Sequence, residues 1–343
     1  MNQAALKSIP THKVKADLEL LLFCKATADK LRLDILKVLG CDSYGVLELT
    51  RIIDCKQSAM SHHLKILLEA GLVARRREGN SLFYRRAHAS QAKFSGMMRE
   101  LFTSLEDYPL EEGYQERLQI IQNERTEQAR RFFEEHAGTF SKHQEQVVAY
   151  ELYGPHASEL IEASFLSSPK KPQAILEIGP GEGQFLEPIS RIFKTVHALD
   201  ISSEMLASAR DFSRSKKLDN VIFHEGDTSL EALKAHSFDA VVMNMVLHHV
   251  PSPSKVLADI SALLKPGDML FITELCEHAQ DWVKSSCGDL WLGFEPEELK
   301  ELAGAADFAE AESMYLAQRN GFRVQFRQFI KTNQIIDKGI QGT

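Results

Sequence analysis

Apolar positions recur at helical spacing from Asp17 to Leu39, through Leu18, Leu21, Leu22, Leu31, Ile35, Leu36 and Leu39, with Gly40 placed to end the run. This pattern predicts one or two helices. Val46, Leu49 and Ile53 then predict a short helix of about two turns. A turn at Asp54–Lys56 leads into a second helix from Gln57 to Ala70, with Gly71 as its closing glycine. Met60, Leu64, Leu67 and Leu68 form the inward stripe of that second helix, opposite Ser58, Ser61, His62 and Lys65. The period then drops to that of strands. LVARRR and SLFYRR flank a Glu78–Gly79–Asn80 turn and predict a two-stranded wing carrying five arginines. A helix over Gln91–Leu105 gathers Phe94, Met97, Met98, Leu101, Phe102 and Leu105 on one side. Residues 106–150 are charge-rich and helical in pattern, and Pro169 and Pro172 bracket a break.

Beyond the break the pattern alternates strand and helix. AILEIGPGEG at 174–183 is an apolar strand entering a glycine-rich turn, followed by a helix, QFLEPISRIF. Further strands are TVHALD ending at Asp200, VIFHEGD ending at Asp227, FDAVVMNMVLHHV carrying Asn244 and His248–His249, and MLFITEL after a Leu264–Lys265–Pro266–Gly267 turn. SMYLAQRNGFRVQFRQFI predicts a hairpin with Asn320–Gly321 as a two-residue turn. The expectation is a multidomain chain: an α+β unit over 1–105, a helical connector over 106–150, and an α/β Rossmann-like sheet with a C-terminal antiparallel hairpin over 151–343.

Charge changes the picture. The net charge of −8 argues against nucleic acid, yet residues 1–95 hold 16 Lys/Arg against 9 Asp/Glu, leaving 24 against 39 for the remainder. A split of +7 and −15 is a hint of nucleic-acid or membrane contact by one end. No apolar run is long enough to span a bilayer, and MNQAALKSIP lacks the core of a signal peptide, so the expected location is cytoplasmic with no membrane partner. Cys24, Cys41, Cys55, Cys276 and Cys287 show no paired spacing; no metal is expected.

Small polar and cationic side chains on the second helix suit a major groove, and the arginine wing suits phosphates. A solvated face is the alternative for that helix taken alone, and a packed, structural role is expected of His63. The phrase KQSAMSHHLKILLEAGLVARRREGNSLFYRR resembles the winged helix-turn-helix of the ArsR/SmtB repressors over residues 20–90. The resemblance implies a homodimer on a double-stranded DNA operator, with the Gln91–Leu105 helix at the dimer contact. Lys56, Gln57, Ser58, Ser61, His62 and Lys65 on the helix, with Arg75, Arg76, Arg77, Asn80 and Arg85 on the wing, are the candidate DNA contacts. Two features depart from the family. LELTRIIDC offers only Cys55 where metal sensors carry paired cysteines, and Lys56 stands where an N-cap acceptor is expected.

The glycine turn alone fits dinucleotides and other nucleosides equally; Asp200, about 20 residues on, can accept both ribose hydroxyls. With the GDT at 226–228, NMVLHHV and the terminal hairpin, residues 140–330 resemble the class I S-adenosylmethionine-dependent methyltransferases. By that resemblance Glu177, Gly179, Pro180, Gly181 and Gly183 line the methionine moiety of S-adenosylmethionine or S-adenosylhomocysteine. Asp200 then meets the ribose, Ile201 and Met205 the adenine faces, Gly226, Asp227 and Thr228 the adenine edge, and Asn244 the floor. Ile201 and Met205 are equally well explained as core. His248 and His249 are candidate bases, at most one facing the pocket if both lie on a strand. Trp282, Trp291, His278 and Asp289 gather in a segment that suits an acceptor pocket, a lid or a signalling surface. The combination resembles regulators that respond to S-adenosylhomocysteine. It predicts a transcriptional regulator, with an active methyltransferase as the alternative. A third arrangement, a methyltransferase that uses the winged helix only to dimerise, leaves the arginine wing without a purpose.

Overall fold

The computed structural model describes residues 11–40, 42–79, 81–88, 94–136, 140–166 and 172–333. Asn80 and the first turn expected of the Gln91–Leu105 helix, residues 91–93, lie outside them, as do Cys41 and Pro169. The chain divides into two compact units between Gln122 and Asn123.

The first unit contains α1 (Thr11–Thr27), α2 (Lys30–Val38), β1 (Tyr44–Gly45), α3 (Val46–Ile53), α4 (Gln57–Glu69), β2 (Val73–Glu78), β3 (Ser81–Arg86) and α5 (Ser95–Glu106), and it takes the first part of α6 (Glu112–His136). Asp29 caps α2 by accepting the Arg32 amide at 3.0 Å, and the buried Arg32 guanidinium donates to the Ala26 and Lys25 carbonyls at the end of α1, both at 2.7 Å. Glu48 accepts the Gly45 amide at 2.7 Å and starts α3. Asp54, at φ 56°, ends α3 in the left-handed region, and Gly71, at φ 69°, turns the chain out of α4. Met60, Leu64 and Leu67 are fully buried, while Leu68 is half-buried at the edge of the same core. The wing is an antiparallel sheet of order β1-β3-β2.

The second unit adds α7 (Phe140–Val147), α8 (Tyr150–Phe165), β4 (Ala174–Ile178), α9 (Leu186–Ile192), β5 (Thr195–Asp200), α10 (Ser203–Lys216), β6 (Val221–Glu225), α11 (Glu231–Lys234), β7 (Phe238–Asn244), a 3₁₀ turn at Leu247–His249, α12 (Pro253–Leu263), β8 (Leu264–Leu275), α13 (Trp282–Ser286), α14 (Pro296–Ala305), β9 (Phe308–Ala317) and β10 (Arg323–Lys331). Its sheet has the order β6-β5-β4-β7-β8-β10-β9; pairing is parallel from β6 to β8, and β10 is antiparallel to both β8 and β9. The chain winds outward from β4 to β6 and returns to β7. The topological switch point therefore lies between the carboxyl ends of β4 and β7, where ligands bind in open α/β sheets.

Three expectations need correction. His248 and His249 are not on a strand: β7 stops at Asn244, Met245 takes φ 57°, and the chain folds into the 3₁₀ turn, so both rings are buried rather than alternating. The terminal hairpin does not close on two residues. Ala317 pairs with Arg323, Gln318 N–H donates to Phe322 O at 2.9 Å, and Gly321, at φ 90°, completes a longer loop. The turn at Leu264–Gly267 is a bulge within β8, where pairing jumps from Leu264 to Met269 while β7 advances from Phe238 to Ala240. No helix among the described residues is long and apolar enough to cross a membrane.

Candidate functional site

Backbone bonds draw the sheet's carboxyl ends into one cleft. Gly179 N–H donates to Leu199 O at 2.8 Å, Gly226 N–H to Asp200 O at 2.9 Å, and Met245 N–H to Thr273 O at 2.8 Å. Gly179 sits at φ 66°, and a Cβ added there would fall only 2.5 Å from the Val246 side chain, so no larger residue fits. Gly181 is also left-handed, at φ 58°, but faces open space, which leaves its backbone approachable. Gly183 lies against Ala209 on α10 and fixes the helix packing instead. Pro180 is buried and its carbonyl accepts Gly183 N–H at 2.8 Å.

Glu177, at the end of β4, is buried, and its Oε2 has no hydrogen-bond partner among the described residues. Burial alone pushes its carboxyl up to about 8. Tyr150 and Tyr153 on α8 are raised by burial first and then by the Glu177 charge, so α8 lies over this strand end. Asn244, across the switch point, is buried with both amide atoms lacking a partner among the described residues. Asp200 accepts Ser202 N–H at 2.9 Å; burial raises its carboxyl to about 6 against the pull of the Ser202 and Ile201 amides. Met205 is buried at the first turn of α10, and Ile201 is half-buried. Asp227 is exposed, and the Ser229 hydroxyl and amide hold it below the usual carboxylate range although burial works the other way. Thr228 is turned away, donating to Asp259 at 2.7 Å. Two unpartnered polar groups facing a switch point, beside a glycine turn that leaves room, fit a ligand with amino, carboxylate and ribose groups.

Behind the cleft, His248 Nδ1 contacts Glu274 Oε1 at 2.6 Å and its Nε2 lies 4.0 Å from Asp289. Burial opposes its charged form, but Glu274 and Asp289 outweigh that and lift it to about 9. His249, 4.1 Å away ring to ring, is held well below its ordinary value by burial and by His248. The surroundings thus favour the charged form at His248 and the neutral form at His249. Trp291 donates to Val250 O at 2.8 Å, and His248 O accepts the Leu290 and Trp291 amides, so the segment after β8 is built into this wall. Sequence reasoning missed Glu274, Tyr150 and Tyr153; the Tyr150/Tyr153 spacing on one helical face was the available signal.

On the first unit, Lys56, Gln57, Ser58, Ser61, His62 and Lys65 are all exposed along one face of α4. Lys56 occupies the N-cap without a side-chain cap bond. His63 is half-buried, 3.9 Å from Asp29. The wing arginines divide. Arg75 and Arg77 are exposed, Arg77 bonding the Gly79 carbonyl at 2.8 Å. Arg85 is half-buried. Arg76 has a side chain 9% exposed and pairs at 2.6 Å with Glu78, whose side chain is fully buried. Arg86 donates to Leu36 O at 2.8 Å and pairs with Glu106 at 3.1 Å, so it braces the unit from inside. Five arginines on the wing are thus not five free cations.

Residues 29–75 match the family of bacterial regulatory proteins of the arsR type, and residues 176–272 match a methyltransferase domain. A ubiquinone biosynthesis O-methyltransferase of Xanthomonas axonopodis pv. citri (strain 306) is 31% identical over 122 residues, covering 35% of this chain and 51% of the relative. The corresponding enzyme of Caulobacter vibrioides is 31% identical over 144 residues, covering 38% and 57%. The chain thus spans about half the length of the curated relatives it matches. Among solved structures, a Burkholderia thailandensis 1,6-didemethyltoxoflavin-N1-methyltransferase with bound 1,6-didemethyltoxoflavin and S-adenosylhomocysteine is 21% identical, with a TM-score of 0.49, covering 62% of this chain and 91% of that one. The methyltransferase domain indicates that the second unit binds S-adenosylmethionine or S-adenosylhomocysteine.

Proposed function

Since this chain joins a domain of the bacterial arsR regulatory family to a methyltransferase domain, we propose that it is a DNA-binding transcriptional regulator whose operator affinity responds to the nucleoside in its cleft. The observation that carries the reading is the polar face of α4, all six candidate positions exposed to solvent, on a chain that also holds a nucleoside cleft. Arg75 and Arg77 add phosphate contacts beside it. Dimerisation is supported by exposed apolar side chains on helices of the same unit, Leu18 (58%) and Leu21 (66%) on α1 and Met97 on α5.

In the cleft, Asp200 accepts ribose hydroxyls, Asp227 or its neighbouring backbone meets the adenine edge, and Glu177 and Asn244 bond the amino acid end. A route for coupling runs through α6. Arg117 in its first half donates to Ile52 O of α3 at 2.6 Å, and Phe133 in its second half packs on His249 with ring centroids 5.0 Å apart. A tenfold change in operator affinity needs about 1.4 kcal/mol of coupling. The test is operator binding by fluorescence anisotropy at fixed salt, titrated with each nucleoside. An affinity unmoved by both ends the regulatory reading.

The buried His248–Glu274–Asp289 group favours a second reading, an active methyltransferase. The cofactor supplies an activated methyl group, and the protein's part is to align an acceptor and manage its proton. His248, flanked by the Glu274 and Asp289 carboxylates, and His249 beside it are the candidate groups for that proton. Transfer of labelled methyl into hydroxyl-bearing small molecules distinguishes this reading from the first.

A further inference from the structure

Away from the cleft, three histidines distant in sequence come together. His197 on β5, His224 on β6 and His236, between α11 and β7, each offer a ring nitrogen, and the three atoms lie within 4.8 Å of one another. His197 Nδ1 is 2.9 Å from His224 Nε2, with the two rings stacked at 5.1 Å, and the His236 ring is 4.4 Å from that of His197. Alternation along β5 turns Val196 and Ala198 into the core shared with α9 and α10, so His197 stands on the other face of the sheet. Phe238 closes the far side with an edge contact at 5.1 Å. His197 is buried, His224 half-buried and His236 exposed, so the group opens to water on one side.

One hydrogen bond links two of these rings, and the third packs on His197 and Phe238 with a ring nitrogen turned toward the same point. We propose that His197, His224 and His236 bind a divalent transition-metal ion of the zinc type, with water as the fourth ligand. An all-imidazole set suits zinc and its neighbours and lacks the oxygen ligands that magnesium or calcium require. Metal–nitrogen bonds of about 2.0–2.1 Å set tetrahedral nitrogens about 3.3–3.4 Å apart. The His197–His224 pair opens slightly to reach that spacing, and the exposed His236 closes in. Bound metal ties edge strand β6 and the segment entering β7 to β5. The buried His248, His249 and Asp289 group is sealed and already knit to Glu274, so it belongs to the acid–base site.

The test uses the full chain without a histidine tag, stripped by chelator, then titrated with Zn²⁺ alone by calorimetry and with Co²⁺ by visible absorption. One equivalent binds, and Co²⁺ shows the spectrum of a tetrahedral site. His224→Gln and His236→Gln, which touch exposed or half-exposed rings and preserve the fold by circular dichroism, each weaken binding by more than the roughly 100-fold reached by outer-shell changes. Absence of binding by the parent chain overturns the proposal. So does undiminished binding in either variant, and so does loss of binding only in Asp289→Asn, which assigns the metal to the other group.

Discussion

The polar face of α4 and the polar floor of the cleft treat water in opposite ways. Every candidate on α4 is solvated, from Lys56 to Lys65, whereas Glu177 and Asn244 are buried with side-chain atoms that lack partners among the described residues, and Asp200 is pushed up to about 6 by burial. A phosphate surface is long, uniform and reached through counterions, so solvated cations on flexible stems serve it at little cost to the fold. A nucleoside must be told from its relatives. Groups already stripped of water are penalised until the right ligand restores their bonds, and that penalty is what discriminates. The wing repeats the contrast in miniature, since Arg75 faces water and its neighbour Arg76 faces Glu78.

The largest expected effect breaks the comparison at Arg76. Arg76→Ala removes the 2.6 Å ion pair to the buried Glu78 carboxylate and destabilises the first unit by about 3 kcal/mol, read by chemical denaturation. A change within about 0.5 kcal/mol, the range of ordinary surface substitutions, would put Arg76 in the class of the solvated cations. Next, Asp200→Ala removes charge-assisted bonds to the ribose and weakens nucleoside binding by about 2–3 kcal/mol in calorimetry, while DNA binding without ligand is unchanged. Loss of both activities points to a folding defect, whereas undiminished nucleoside binding would remove the residue from the site.

The third prediction concerns protons. Glu177, up at about 8, and Asp200, at about 6, bind protons more tightly folded than unfolded. Their contribution to stability is therefore full below about 4 and is lost as the pH rises through 6 and then 8. A cationic ligand head beside Glu177 favours the carboxylate, so binding at pH 7 releases close to one proton, and the release falls as the pH rises past 8. Calorimetry in buffers of different ionisation enthalpy reads this directly, and equal release below and above pH 8 contradicts the burial of Glu177. The smallest effect is at Arg75: Arg75→Ala lowers the magnitude of the log–log salt slope of DNA binding by about 0.9, and an unchanged slope removes that residue from the phosphate contacts.

Local rules made much of this legible. The α4 stripe, the wing and the succession of parallel strands follow from residue periodicity, and Gly179, Gly181 and Gly183 announce their turn because other residues rarely adopt those angles. Tertiary choices were hidden. Nothing in NMVLHHV shows that Met245 turns left-handed and ends β7, since the reason is its amide's bond to Thr273 on the next strand. The Asn320 side chain is held by the Gln146 and Val147 carbonyls, a distant contact that accompanies a hairpin loop longer than the dipeptide alone suggests. The inward turn of Arg76 was available from strand alternation, which places it on the face of Glu78, two residues on. His197, His224 and His236 share no spacing that a motif would register, and only the strand order brings them together.

The place of β10 has a consequence in time. It is the later of the last two strands, yet it lies between β8 and β9, with Arg327 buried and bonded to the Pro296 carbonyl and to Gln325. During synthesis the sheet cannot close until Arg323–Lys331 has left the ribosome, whereas the helices and wing of the first unit are joined by contacts near in sequence and emerge well before. Each newly made chain therefore passes through an interval in which the first unit is complete and the sheet of the second still lacks the strand that joins β8 to β9.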